Sequence, residues 1–204
     1  CPAWSSMAKK LYPEYRECIS MALTPMTLTA RLIKEQHQNA KVVFIGPCAA
    51  KKLEAMRKSV RSEVDFVLTF EEMMGIFEAK DIDVASLTEE VEGINDASED
   101  GRNFAVSGGV AQSVVNVIQE RYPEREIKIA NAEGLRDCRK LLMMAKAGKY
   151  NGYLLEGMGC PGGCVAGAGT MQSIKKSQNA VKKYAAQANH KNSNETEYVK
   201  ELNK

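Results

Sequence analysis

Residues 156–169 read EGMGCPGGCVAGAG, with six glycines, two cysteines and a proline in fourteen positions. No regular helix or strand can run the length of such a segment. Each glycine adds unfolded-state entropy that folding must overcome, and proline removes a backbone donor and fixes the turn. The segment is a loop, and something must be held closely enough to repay its ordering. Glycine keeps side chains out of the way, and the two thiols point to a group bound through sulfur.

The rest of the chain alternates two patterns. Short apolar runs at 41–46 (KVVFIG), 64–69 (VDFVLT), 103–107 (NFAVS), 127–132 (IKIANA) and 150–155 (YNGYLL) predict strands. Between them lie helical patterns. Residues 27–38 carry Leu28, Leu32 and Ile33 on one face, and 70–80 carry Met73, Met74 and Phe77. Residues 109–121 carry Val110, Val114, Val117 and Ile118, and 134–148 carry Leu135, Leu141, Leu142 and Ala145. This alternation predicts an α/β fold with short, mainly parallel sheets flanked by helices. The polar run 96–101 (DASEDG) is the expected boundary between two lobes within a domain spanning 1–185, and the polar stretch 186–204 is expected to be a flexible tail. No internal repeat is visible.

Composition narrows the function classes. A length of 204 residues, 44% hydrophobic and 26% charged, suits a globular domain with a sizeable core. A net charge of +2 without an arginine-rich stripe argues against a nucleic-acid partner. No apolar run reaches the roughly 18 residues needed to cross a membrane, and no signal peptide is present. The chain opens on Cys1 rather than Met, so we expect it to begin inside a longer protein.

Six cysteines are sparse for a disulfide scaffold of this length, which suggests a reducing, cytoplasmic setting. Cys1 begins CPAW, Cys48 lies in FIGPCAAKK, and Cys160 and Cys164 frame CPGGC. Cys48 and Cys160 fall just past predicted strands, and ligands of open α/β sheets bind at the carboxyl ends of strands. Proline and glycine beside the thiols suit an iron–sulfur cluster, where backbone N–H groups approach sulfur. Structural zinc on four cysteines and a local Cys160–Cys164 disulfide remain open at this point. Cys18 and Cys138 lie in helical patterns and are expected to be ordinary buried or half-buried thiols. The loop lacks the GK[ST] ending of a phosphate-binding P-loop.

Taken together, CPAW at 1–4, GPCAAKKLE at 46–54 and EGMGCPGGCVAGAGT at 156–170 resemble three segments of the catalytic domain of iron-only (FeFe) hydrogenases. Those segments are TSCCPxW, MPCxxKxxE and ExMxCPGGCxxGGGQP, in the same order. The resemblance implies that Cys1, Cys48, Cys160 and Cys164 hold a 4Fe-4S cube, with Cys164 also bridging to a two-iron subcluster that carries carbon monoxide, cyanide and a dithiolate. It implies that Lys51 binds a cyanide ligand; read by itself, Lys51 is a solvated helix lysine. Phe104 matches a phenylalanine beside the subcluster, and also reads as a core strand aromatic. Met158 matches a methionine before the third ligand. Ser20 matches a serine of the proton path, and Thr24-Pro25 a nearby Ser-Pro. The implied reaction is reversible H2 oxidation and proton reduction. The implied partners are ferredoxin-like iron–sulfur domains or an electron carrier, and the maturation proteins that assemble the cofactor.

The sequence also departs from the family pattern. Gly46 stands where MPC has methionine, Met26 where a glutamine commonly follows Ser-Pro, and Gly167-Ala168-Gly169-Thr170 where the family has GGGQP. The relay cysteine of TSCCP would precede Cys1. GPC variants resemble the divergent, sensory branches of the family. Two alternatives therefore stand beside turnover: a non-catalytic H2 or redox sensor with the same cluster, and a structural four-cysteine site for zinc or a plain 4Fe-4S cube.

Overall fold

A computed structural model of the protein describes residues 1–87 and 96–199. The chain divides into two compact units, one formed by Cys1–Glu89 with Gly167–Met171, the other by Glu90–Ala166 with Gln172–Lys204.

In the first unit, proline opens both α1 (Pro2–Leu11) and α2 (Pro25–Gln36), in the first turn where its missing N–H has no helical partner to lose. A 3-10 turn over Pro13–Cys18 follows α1. Strands β1 (Val43–Gly46) and β2 (Phe66–Thr69) pair in parallel, Val43 opposite Phe66 and Gly46 opposite Thr69, with α3 (Ala50–Met56) in the crossover. Asp65 fixes the entry to this sheet. Its carboxylate accepts the Val42 N–H at 2.8 Å and pairs with Lys34 of α2 at 2.8 Å. The Lys34 hydrogen bond, and then the Val42 N–H, hold its pKa down to about 2. Helix α4 (Phe70–Ala79) leaves β2 through a capping box. The Thr69 hydroxyl accepts the Glu72 N–H at 3.2 Å, and the Glu72 carboxylate accepts the Thr69 N–H at 2.8 Å. The returning strap Gly167–Met171 lies against the strand ends: the Gly169 N–H donates to the Pro47 carbonyl at 3.0 Å, and the Gly169 carbonyl accepts the Glu71 N–H at 3.2 Å. A Cβ at Gly169 would overlap the Thr69 side chain, so only glycine lets the strap lie this close.

In the second unit, β3 (Lys128–Glu133) and β4 (Tyr153–Met158) pair in parallel, Lys128 opposite Tyr153 and Glu133 opposite Met158. Around them lie α5 (Glu99–Asn103), α6 (Gly109–Arg121), α7 (Leu135–Lys146) and α8 (Ile174–Ala185). Ala111 and Val115 of α6, Cys138, Leu141 and Leu142 of α7, and Met158 are buried.

Four of the five predicted strands are present, and both sheets are parallel as expected. Residues 103–107 are not a strand. They are the exit of α5 and a turn into α6, with Val106 N–H bonded to the Asn103 carbonyl, Gly109 N–H to the Val106 carbonyl, and Gly108 at φ +87°. Those bonds are local, so the apolar content of NFAVS serves packing and not a ladder. Helices α1 and α8 lie outside the helical patterns read from the sequence.

Residues 96–101, where the lobe boundary is expected, include the start of α5, at which the Ser98 hydroxyl accepts the Gly101 N–H at 3.1 Å. Within the expected tail, residues 200–204 lie outside the described residues. Residues 186–199 return to α5: the His190 and Lys191 carbonyls accept the Glu99 and Asp100 N–H groups at 2.8 and 3.0 Å. The Tyr198 hydroxyl donates to Asp96 at 2.8 Å, and Thr196 is buried. Unsatisfied N–H groups at a helix start hold this polar segment, which hydropathy cannot reveal.

Candidate metal centre

In the first unit, Gly46 ends β1 and the chain turns through Pro47 and Cys48 into α3. Cys48 is half-buried, and its carbonyl accepts the Lys51 N–H at 3.2 Å. Cys1 is exposed at the N-cap of α1, where its carbonyl accepts the Ser5 N–H at 3.0 Å. Lys51 is not a solvated helix lysine. Its side chain is 13% exposed, and its ammonium donates to Glu54 at 2.8 Å, one turn along α3. The other Glu54 oxygen accepts the Thr24 hydroxyl at 2.8 Å. Burying an ion pair costs free energy unless the remaining lone pairs are satisfied, and Thr24 does this for Glu54.

The Phe44 ring centroid lies 6.0 Å from the Lys51 ammonium. The same ring covers position 46, where a Cβ would stand 2.6 Å from the nearest ring carbon. Glycine at position 46 therefore fits a local packing in which an aromatic from β1 fills the space. Ser20 is exposed in the irregular segment before α2, where its hydroxyl accepts the Ala22 N–H at 3.2 Å; it is not part of the Lys51–Glu54–Thr24 cluster. Cys18, expected to be buried or half-buried, is exposed at the end of the 3-10 turn.

In the second unit, Met158 is buried at the end of β4, and its carbonyl accepts the Gly134 N–H at 2.8 Å and the Cys138 thiol at 3.3 Å. The Cys138 thiol also reaches the Ala132 carbonyl at 3.4 Å, and burial pushes its pKa up to about 11. Cys138 is thus the structural thiol expected. Beyond β4, the Gly163 N–H donates to the Cys160 carbonyl at 3.1 Å and closes the CPGGC turn, with Cys160 and Cys164 half-buried. Gly162 and Gly163 adopt φ of +87° and +97°, which favours glycine.

At these two positions the vacated space belongs to the protein itself. A Cβ on Gly163 would lie 2.6 Å from the Ala105 carbonyl oxygen and the Ser107 nitrogen. The Gly162 carbonyl accepts the Ser107 N–H and the Gln178 amide, each at 3.2 Å, and its N–H donates to the Glu133 carboxylate at 2.8 Å. Phe104 is half-buried at the C-cap of α5, where this turn begins, and not on a strand. Glu156, the acid that opens the loop motif, is buried, and its two oxygens accept the N–H groups of Gly108 and Ala111 at 2.6 Å each. It caps α6 from the neighbouring strand.

Glu54 and Glu156 were missed as residues of interest in the sequence. For Glu54 a signal existed, since Lys51 and Glu54 stand at i, i+3 and share a helix face. For Glu156 the signal is its place at the head of EGMGCPGGC, whereas its partners, more than forty residues away, are not legible there.

Each unit brings two of the four motif thiols: Cys1 and Cys48 in one, Cys160 and Cys164 in the other. Among the described residues, no group of three His, Cys, Asp or Glu side chains is gathered in a way that could hold a metal ion. No disulfide joins any of the six cysteines. Cys48 and Cys160 do follow the carboxyl ends of parallel strands. Soft sulfur donors on such loops fit an iron–sulfur group.

The family model described as "Iron only hydrogenase large subunit, C-terminal domain" matches residues 1–168. The periplasmic [Fe] hydrogenase large subunit of Nitratidesulfovibrio vulgaris is 27% identical over 83% of this chain and 50% of its own length. The nuclear prelamin A recognition factor of Xenopus laevis is 25% identical over 85% of this chain and 48% of its own. The cytosolic Fe-S cluster assembly factor NAR1 of Kluyveromyces lactis is 28% identical over 62% of this chain. The chain thus spans about half the length, or less, of the curated relatives it matches. A variant of [FeFe]-hydrogenase HydA1 from Chlamydomonas reinhardtii shares the fold with a TM-score of 0.78 at 21% identity, over 99% of this chain and 69% of that one. The family match over most of the chain, the ordered cysteine motifs and the shared fold agree: the chain belongs to the C-terminal domain family of the iron-only hydrogenase large subunit.

Proposed function

We propose that this chain is part of an iron-only hydrogenase catalytic domain that takes part in reversible H2 oxidation and proton reduction. The observation that carries the reading is the buried Lys51–Glu54 pair one turn beyond Cys48, in a chain that carries the family's cysteine motifs in order. When bound, a 4Fe-4S cube joined to a two-iron unit with carbon monoxide, cyanide and dithiolate ligands supplies the interconversion of H2 with two protons and two electrons.

In this reading the chain's residues bind and orient. Cys1, Cys48, Cys160 and Cys164 would hold the cofactor as thiolates, and Cys164 would serve both of its parts. Lys51 donates to an anionic ligand; an ammonium has three donors, and Glu54 takes one. Met158 presents a soft thioether, Phe104 excludes water, and Ser20 passes a proton at its hydroxyl. Electrons come from ferredoxin-like iron–sulfur domains or a carrier, maturation proteins install the two-iron unit, and the setting is cytoplasmic. Among the described residues no helix is long and apolar enough to cross a membrane.

The test is iron and acid-labile sulfide per chain after anaerobic co-expression with maturation proteins, followed by H2 evolution from a reduced dye. About four irons with matching sulfide support the thiolate site, and two further irons support the complete cofactor. One zinc without sulfide overturns the reading.

A second reading is favoured by Gly46 under the Phe44 ring and by the likeness to a prelamin A recognition factor and an iron–sulfur assembly factor. In it the same thiols hold a cluster without turnover, for sensing or assembly. Cluster-loaded protein that neither makes nor consumes H2 would select it.

A further inference from the structure

The Lys51 ammonium is held by a relay of three side chains within the first unit. Lys51 and Glu54 stand one turn apart on α3, and Thr24, at the N-cap of α2, reaches Glu54 from a different element. The Glu54 side chain is 7% exposed, and each of its oxygens carries one hydrogen bond at 2.8 Å. Thr24 is itself fixed: Pro25 sets the start of the helix behind it, and its hydroxyl lies 3.3 Å from that of Thr27, which is fully buried. A lysine has four flexible torsions and normally keeps its ammonium in water. Placing it against a buried carboxylate, with an aromatic ring at 6.0 Å, is costly and has no stabilising purpose a leucine pair would not serve better.

We infer that Glu54 and Thr24 are positioning residues for Lys51. Glu54 fixes where the ammonium stands, and Thr24 fixes Glu54. Two of the three ammonium donors are left for an anionic ligand at one defined place, without reorganisation when that ligand arrives. Where that ligand is the cyanide of a two-iron unit, the inference rests on the function proposed above; the positioning itself does not.

The test separates the two. Lysine acylation by a water-soluble N-hydroxysuccinimide ester, read site by site by mass spectrometry, reports on the ammonium in the whole chain, with the exposed Lys58 as internal standard. In the parent, Lys51 should label more slowly than Lys58. Glu54→Gln should speed Lys51 by about tenfold and Thr24→Val by a smaller factor, while Thr24→Ser should match the parent. Circular dichroism and Lys58 labelling confirm that each variant is folded. Lys51 labelling as fast as Lys58 in the parent, or unchanged by Glu54→Gln in a folded variant, overturns the inference.

The same variants, matured anaerobically, are then assayed for iron and for cyanide infrared bands. Glu54→Gln should keep the four irons of the thiolate site and lose or shift the cyanide bands, as Lys51→Ala should. Intact, unshifted bands in Glu54→Gln overturn the role toward the ligand. A parent that shows the labelling pattern but takes up no iron supports the positioning and overturns the proposed function alone.

Discussion

Glu156 holds Ala111: one carboxylate oxygen on the last strand of the second unit accepts that N–H at 2.6 Å, while the other accepts the N–H of Gly108 at the same distance. A helix start whose N–H groups would otherwise lack partners is tied to the strand that leads into the CPGGC loop. Replacing Glu156 by Gln leaves one of the two N–H groups facing an amide donor. The expected loss is about 2 kcal/mol, the scale of a charge-assisted hydrogen bond to a buried group. Urea unfolding of the two chains at pH 7 checks it, and equal midpoints would contradict it.

Gly163 sits at φ +97° with its missing side chain aimed at backbone atoms of Ala105 and Ser107. Neither the conformation nor the backbone can yield cheaply. Gly163→Ala should lower stability by more than about 2 kcal/mol, combining left-handed strain with steric overlap. Gly148→Ala, where the same φ sign occurs with nothing within 4 Å, isolates the conformational part and should cost less. Thermal melting of both variants gives the comparison.

The Cys138 thiol, pushed up to about 11 by burial, is the least reactive nucleophile expected among the six. Iodoacetamide at pH 8 should modify the exposed Cys18 early and Cys138 only on unfolding. The shift also links to stability: a pKa raised on folding contributes nothing adverse below the ordinary value of 9.0 and reduces stability as pH climbs toward 11. Cys138→Ala should flatten that alkaline slope, and Cys138 alkylated as fast as Cys18 in the native chain would contradict the burial argument.

Asp65 titrates in the opposite direction. Lys34 first, and then the Val42 N–H, lower its pKa from 3.8 to about 2 on folding. Its contribution is complete above the ordinary value and disappears as pH falls through the folded one. Asp65→Asn should therefore be less stable than the parent near neutrality, and the difference should close as the pH is taken down to about 2. Denaturation curves at several pH values measure it; a gap that stays constant with pH would mean the carboxylate charge is not what matters.

Much of this was legible in the sequence because apolar period and glycine punctuation are local signals. FIG and FVLT sit where strands were expected, and the helix over Gly109–Arg121 has the predicted ends. Stretches misread were those where a neighbour decides. NFAVS has the composition of a strand, yet Gly108 and local turn bonds take it out of the sheet. Residues 186–199 look like a tail because their partners are the bare N–H groups of α5. The cysteines were legible by motif, and Glu54 stands at the end of GPCAAKKLE, but its partner Thr24 comes from α2 and is not legible there.

The strap Gly167–Met171 belongs to the unit whose other residues end at Glu89, although the second unit lies on both sides of it in the chain. No single proteolytic cut can release the first unit whole. A fragment stopping at Glu89 would leave the Pro47 carbonyl, next to Cys48, and the Glu71 amide at the start of α4 without the partners Gly169 provides. On the ribosome the same order applies in time. Domains generally fold as their residues emerge, but here the turn bearing Cys48 must wait for Gly169, beyond the whole of segment 90–166, before its closing bonds can form. The first unit is synthesised early and completed late, after both cysteines of the CPGGC turn have been made.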